Sequence, residues 1–455
     1  MSTGDIGPEA LENIARARAL FDAPITGPSL PYRSVGHMLE DRVDQDEQKV
    51  FLIYYSEEGQ RREFTYHEFY EAASRVANQM HALGIRHGDR IATVSHNHPD
   101  VVIQYFAAFL LGAALVPLNP QDDQGTLTCI LKHSGAKLIY VRDAYLDRIL
   151  ALRPDVPELK NIVQVGKRLR SDFPHLETDA ARLNPRFHPP VPVSLNDVAL
   201  VMYFCSPSGR PKGVILEHVN LIAEAMSIAE WHRLSDDQRI MCILPIHHVK
   251  GIVLTLLTPL AVGSGVVLNQ TFQAEKFFER IAADHVTVVS VDAGLLQSLI
   301  QAKLPVDMYK LAHFRHLICG AGPLTVDLAQ KFEIAFKRPV IHGYGLSEAT
   351  AYSCFVPLDL SPAEHKSWLS GHEQPSVGMP ISANEMMIQD NEGNERGEGE
   401  QGEIALRGHN LMRGYDGDPD ATSAAFRNGW FLTGDLGYYR YDGEGRKFFF
   451  VAGKK

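Results

Sequence analysis

The chain has 455 residues, with 44 Lys and Arg against 55 Asp and Glu and a formal net charge of −11. That length suggests roughly two or three domain-sized units, each able to bury a core, and excludes a small scaffold held by staples. The acidic balance also argues against nucleic acid as a partner, because phosphate binding leaves the opposite electrostatic footprint.

Hydrophobic residues make up 45% of the chain, ordinary for a globular protein. Cys129, Cys205, Cys242, Cys319 and Cys354 are widely spaced and form no CxxC pair, so reduced, mostly buried thiols are expected. The stretch MSTGDIGPEALENIARARALF lacks the apolar core of a secretory leader, and a cytoplasmic location is the expectation. Asn269-Gln270-Thr271 matches a glycosylation sequon that nothing else supports. Prolines, glycines and Gln104 interrupt the longest apolar stretches, 101–118 and 251–268, so no membrane span is expected.

In chain order, Thr65-x-x-Glu68 reads as a capping box that opens a helix. Phe69, Ala73, Val76, Ala77 and Met80 then recur on one face until Gly84. Ile91–Val94 reads as a buried strand, Pro99 opens a helix that stops at Gly112, and Ala114–Leu118 is again a strand. Strands separated by helices imply a covered, mostly parallel sheet. Residues 173–194 are proline-rich and read as a linker. The alternation resumes at Val198, with strands at 286–291 and 317–319, and from about Ile381 short strands and glycine turns predict hairpins. The expected fold is α/β: two α/β subdomains (1–190 and 191–380) with mostly parallel sheets, and a small β-rich, barrel-like subdomain (381–455).

The segment YFCSPSGRPKGV (203–214) runs from a strand into small and hydroxyl residues and then Lys212. Such a loop can turn backbone N–H groups toward phosphate while the lysine adds charge. It is not the Walker pattern, and alone it reads as an exposed turn. Gly397-x-Gly399-x-x-Gly402 formally fits a dinucleotide fingerprint, but Glu398, Glu400 and Glu403 would repel a pyrophosphate, so it reads as a hairpin.

The loop has company: LPIHHVKG (244–251), CGAGPL (319–324), HGYGLSE (342–348), GEIALRG (402–408) and GWFLTGDL (429–436). In this order, and with the upstream run GIRHGDRIATVSHNHPDVVIQYFAAFLLGAALVPLNP, they resemble the adenylate-forming superfamily of acyl- and aryl-CoA synthetases, luciferases and adenylation domains. The resemblance implies attack of a carboxylate on the α-phosphate of ATP, with Mg2+ offsetting phosphate charge, and then displacement of AMP by a thiol. That thiol would belong to coenzyme A or to the phosphopantetheine of an acyl carrier protein.

Carried over to this sequence, the resemblance implies that Lys212, Ser206, Ser208 and Gly209 hold the phosphates. Glu348 would ligate magnesium and Ser347 would sit beside the α-phosphate. Asp435 would accept the ribose hydroxyls, Tyr344 would stack on adenine, and Gly320, Ala321, Gly322 and Gly345 would line the nucleotide. His248, Lys250, Gly251 and Gly343 would face the acid, with His248 near its carboxylate. The adjacent His247 and His248 would point to different faces if extended, one of them being structural.

Three departures stand out. Ser206 and Pro207 replace the glycine and hydroxyl residue of the family's phosphate loop, and proline removes a donor N–H. This motivates the alternative of a non-catalytic module that binds nucleotide or acyl-adenylate. Lys454 stands where the family has arginine, losing the planar fork. The sequence ends at Lys455, where the family's hinge and small C-terminal domain are expected, which implies an N-terminal unit with impaired catalysis.

No acidic residue lies between Met241 and Gly265, which disfavours an α-amino acid as substrate. Lys250 reads as a lysine snorkelling to the surface, the alternative being a partner for a second negative or polar group on the acid.

Overall fold

The computed structural model describes residues 6–20, 30–205 and 211–455. Ser206, Ser208 and Gly209, with the departure at Pro207, lie outside the described residues. Local signals in the first third act as their chemistry requires. Thr65 caps the helix Tyr66–Ala82, accepting from the Glu68 N–H while the Glu68 side chain accepts from the Thr65 N–H. The helix Pro99–Leu111 ends at Gly112 with φ 77°, a left-handed conformation that glycine adopts without a Cβ penalty.

The first sheet has seven strands in the order Gly414–Tyr415, Pro211–Glu217, Val198–Cys205, Ala114–Leu118, Arg90–Val94, Leu138–Arg142 and Asn161–Val165. Its last five are parallel neighbours, and its first three pair antiparallel. The second sheet has nine strands. Arg61–Thr65 lies at one edge, followed by Val50–Tyr55, Gly265–Asn269, Arg239–Cys242, Val288–Asp292, His316–Ala321 and Val340–Tyr344. Cys354–Phe355 and Met379–Pro380 close its other edge. Both sheets take strands from either side of residue 190.

Between them, every residue of the helix Pro99–Leu111 except Asp100 is buried. It belongs to a core cluster holding Phe51 of the second sheet and Ile91 of the first, so one apolar layer fixes their relation. The last unit is an antiparallel sheet of Asn384–Gln389, Gly402–Gly408, Trp430–Tyr441, Phe426–Arg427 and Lys447–Lys454. Register shifts at Glu403/Ala405 and Leu436/Gly437 bend it. The Gly397–Gly402 run belongs to the hairpin that joins its first two strands.

Among the described residues no helix is long and apolar enough to cross a membrane. The apolar stretch after Lys250 instead forms a helix with a π turn at Val253–Leu257, followed by the strand Gly265–Asn269. Asn269 of the sequon is buried, and Cys129, Cys242, Cys319 and Cys354 are free thiols.

One buried ion pair ties the far end of the chain to the first sheet. Arg90 donates from both guanidinium nitrogens to Asp416, at 2.6 and 2.7 Å, and Tyr203 donates to Asp416 at 2.7 Å. Burial works to raise the Asp416 carboxyl, but the Arg90 hydrogen bond and charge outweigh it and hold it below its ordinary pKa. Asp416→Asn leaves the guanidinium without its anion and is expected to cost about 2 kcal/mol, discounted because Arg90 keeps some solvent contact. Because the folded pKa is depressed, this contribution is complete above the ordinary carboxylate pKa and fades as pH falls through the lower folded value. Denaturant midpoints of wild type and variant should therefore differ by a constant amount from about pH 8 to 5, converging only below about pH 4. A gap that closes already at pH 6 would refute this account.

Candidate active site

Asp435 lies in the strand Trp430–Tyr441 and is buried, just after Gly434, whose φ of 71° makes the turn. Its two carboxylate oxygens face different partners. The Tyr344 hydroxyl donates to Oδ2 at 2.7 Å, and the exposed Lys454 ammonium lies 2.6 Å from Oδ1. Burial and then the Asp435 charge push the Tyr344 phenol well above its ordinary pKa, so it stays a donor. Lys454, noted as a departure, thus reaches the residue expected to hold ribose.

A second group forms around Tyr415, which sequence reasoning missed. Lys212 Nζ lies 3.7 Å from the centre of the Tyr415 ring, and the Tyr415 hydroxyl donates to Glu348 Oε1 at 2.9 Å. The Glu348 carbonyl in turn accepts the Met412 N–H at 2.8 Å. Burial, followed by the Glu348 charge, raises the Tyr415 phenol, which keeps its proton. The only signal in the sequence is an aromatic after glycine in RGYDGD, a common turn pattern. Ser347 and Glu348 sit in a single 3-10 turn, after which Thr350 has φ 64°. A positive φ is strained for a β-branched residue, and the Thr350 hydroxyl bond to the Asn410 carbonyl, at 2.6 Å, holds it.

No cluster of three or more metal-ligating side chains occurs among the described residues. A single carboxylate such as Glu348 suits magnesium, which is usually held by one or two carboxylates, substrate phosphates and waters.

The third group is a cleft of about 320 Å³ lined by Asn119, Met202, Tyr203, His247, His248 and Ser347, among others. Both histidines line it, and the extended geometry that would send them to different faces does not apply. The segment is not extended here, because the His248 N–H turns back onto the Pro245 carbonyl at 3.2 Å. Burial lowers His247 to about 4, helped by His248, while the surrounding protein and then Lys250 lower His248.

Lys250 is not a surface lysine: only 6% of it is exposed. Its ammonium donates to the Gly320 carbonyl and sits 4.4 Å over the Tyr352 ring. The glycines here allow close packing. A Cβ on Gly320 would meet Tyr352 Cε1 at 2.4 Å, one on Gly343 would meet Phe355 Cδ1 at 2.4 Å, and one on Gly251 would meet the Pro245 carbonyl oxygen at 2.4 Å. At Gly345 a Cβ would strike the Ala351 carbonyl oxygen at 2.2 Å. Ala321 closes the strand His316–Ala321, and Gly322 follows with φ 80°.

The residues singled out in sequence therefore link up: Lys212 to Glu348 through Tyr415, Tyr344 to Asp435, Ser347 with His248 along one cleft, and Lys250 to Gly320. The sequence profile described as AMP-binding enzyme matches residues 39–416. The chain belongs to this family, and with it to the adenylate-forming superfamily. A feruloyl-CoA synthase from an Amycolatopsis species is 32% identical over 384 residues, covering 84% of this chain and 72% of that protein. A 2-succinylbenzoate–CoA ligase from Bacillus licheniformis is 30% identical over 384 residues, covering 83% and 73%. Among solved structures, the N-terminal domain of FACL13 from Mycobacterium tuberculosis superposes with a TM-score of 0.81 at 24% identity, covering 93% of this chain and 100% of that one. ATP-bound MatB from Rhodopseudomonas palustris gives 0.79 at 24% identity, covering 92% and 79%.

Asp435→Ala removes the acceptor shared by Tyr344 and Lys454. It is expected to weaken AMP binding about tenfold or more, as loss of a charge-assisted pair should, without changing the circular dichroism spectrum. Unaltered AMP affinity by calorimetry would count against a ribose role.

Proposed function

We propose that this chain activates a carboxylic acid with ATP, forming an acyl-AMP anhydride and pyrophosphate, and passes the acyl group to the thiol of coenzyme A. The observation that carries the reading is the Lys212–Tyr415–Glu348 arrangement, in which Glu348 follows Tyr344, the partner of Asp435, by one short turn of chain. A cation, a carboxylate and a buried polar acceptor suit triphosphate, magnesium and ribose respectively.

A free carboxylate is a poor acyl donor, because its leaving group would be oxide. Transfer of AMP replaces that leaving group with a phosphate monoester. In this reading Lys212 offsets charge on the phosphates that depart. Tyr415 holds both the Lys212 ammonium and the Glu348 carboxylate in place, so neither needs to reorganise as charge shifts. Glu348 would hold magnesium, which would offset the phosphate charge when bound. Asp435 would exchange its Tyr344 and Lys454 contacts for the ribose hydroxyls. Ser347 and His248, on one cleft, would receive the α-phosphate and the acid carboxylate. The lowered His248 is neutral at pH 7 and does not form a salt bridge that would hold the carboxylate back from attack. The relatives named above are CoA ligases, which supports coenzyme A as the thiol.

Carboxylate-dependent ATP–pyrophosphate exchange across a panel of acids tests the reading. Exchange should require an added acid, and Glu348→Gln should lower it about a hundredfold, the usual scale for losing one electrostatic stabiliser. Exchange that proceeds without any acid would replace this reading with a nucleotide-binding module. Exchange with no CoA thioester formed would replace coenzyme A with a carrier protein.

A further inference from the structure

We propose that Glu224 is a positioning residue: together with Asn410 and Thr350 it sets where the Glu348 carboxylate stands, and through it the affinity of the nucleotide complex for magnesium. This rests on the magnesium role given to Glu348 above and deepens it.

The segment from Tyr344 to Ser353 doubles back on itself, with the Ser353 N–H on the Tyr344 carbonyl at 2.7 Å, and carries Ser347 and Glu348 between. Thr350 follows them with positive φ, a conformation that a β-branched residue keeps only when its surroundings enforce it. The enforcing contacts come from outside the segment. The Thr350 hydroxyl donates to the Asn410 carbonyl at 2.6 Å, and the Tyr352 N–H donates to Glu224 Oε1 at 2.6 Å. Asn384 Nδ2 donates to the Ser353 carbonyl at 3.0 Å. Asn410 Nδ2 joins these groups, donating to Glu224 Oε2 at 2.9 Å and to Asn384 Oδ1 at 3.0 Å. Glu224 and Asn410 are both fully buried, so water does not replace a lost partner.

Glu224 lies on the helix His218–Trp231, one turn after Asn220, so the two share a face. Asn220 Nδ2 donates to the His409 and Leu411 carbonyls at 2.7 and 2.9 Å, on either side of Asn410. The helix follows directly on Glu217, the last residue of the strand that bears Lys212. One rigid element therefore refers the lysine strand and the Glu348 turn to the same segment, whose Met412 N–H holds the Glu348 carbonyl. An acid is costly in the interior, and burial pushes the Glu224 carboxyl up to about 8. An apolar residue would satisfy packing alone. The position instead calls for two acceptors, because the Tyr352 N–H and the Asn410 amide both face it as donors.

Calorimetry of ATP binding to the full chain at rising Mg2+ tests this, with AMP as the metal-independent control. In wild type Mg2+ should tighten ATP binding, and Glu348→Gln should abolish that gain. Glu224→Gln keeps the size of the side chain and removes one of its two acceptors. It should raise the Mg2+ concentration for half-maximal tightening about tenfold, the lower end of the range for groups that orient a metal ligand. AMP affinity, read through Asp435 and Tyr344, should stay close to that of wild type. Amide exchange should quicken across 347–353 and stay unchanged in the strand Arg90–Val94. Thr350→Gly relieves the strained φ while deleting the hydroxyl, so it should fold and shift the Mg2+ requirement in the same direction. An unchanged Mg2+ requirement in Glu224→Gln, or in Thr350→Gly should the former not fold, overturns the proposal alone when Glu348→Gln has lost the gain. So does a Glu224→Gln protein that loses the same factor for AMP and for ATP with Mg2+, which is what a purely structural carboxyl would give. A wild type whose ATP binding ignores Mg2+, or a Glu348→Gln protein that keeps the gain, overturns the magnesium role itself and the proposal with it.

Discussion

A dipeptide holds the site together. Gly414–Tyr415 pairs antiparallel with the strand Pro211–Glu217, setting Gly414 opposite Ile215 and Tyr415 opposite Val214. That bridge, with the Asp416 N–H on the Gly213 carbonyl and Asn220 on the His409 and Leu411 carbonyls, fixes the segment beyond residue 400 against the strand that bears Lys212. With it, the Tyr415 ring meets Lys212 and its hydroxyl meets Glu348, while the next residue, Asp416, meets Arg90 and Tyr203. Backbone pairing sets the register, and alternation along the strand then sends successive side chains to different tasks. One faces the site and the other clamps the sheet.

The site runs along the edges where loops from both large sheets meet the last antiparallel unit. The shared apolar layer around Pro99–Leu111 makes the two sheets one platform. The polar groups above it are largely pre-engaged: tyrosine hydroxyls donate to Asp435 and Glu348, and a threonine hydroxyl props the turn after Glu348. Such second contacts hold charged groups at fixed positions before any ligand arrives, which is how a site avoids reorganising during reaction. Lys250 differs in kind. It is a cation in the interior, with the Gly320 carbonyl and the face of the Tyr352 ring for company.

Local chemistry was legible in the sequence wherever one residue type has one physical role. The Thr65–Glu68 box, the glycine stop at Gly112 and the strands around 91 and 114 need only neighbours within a turn or two. The hairpin reading of Gly397–Gly402 held for a similar reason, since acidic side chains beside a phosphate site are a local contradiction. Lys212, Tyr344, Glu348 and Asp435 were visible as an ordered set, yet nothing in their order says which touches which. Tyr415 was invisible because a tyrosine after a glycine is ordinary until a strand is laid beside it. Lys250 was misjudged because a lysine's burial depends on what covers it, here Tyr352 and the Gly320 strand end from about 100 and 70 residues away.

By itself, then, the sequence determined the alternation of helices and strands, the turn to antiparallel structure near residue 381, and the chemical kinds of side chain available. Those follow from capping, periodicity and charge, which act over a few residues. Tertiary structure alone decided that strands 50–65 join those beyond 239, that Tyr415 bridges a cation and a carboxylate, and that Lys250 is sealed inside. These are contacts between segments tens to hundreds of residues apart, and the burial of a common apolar layer selects them.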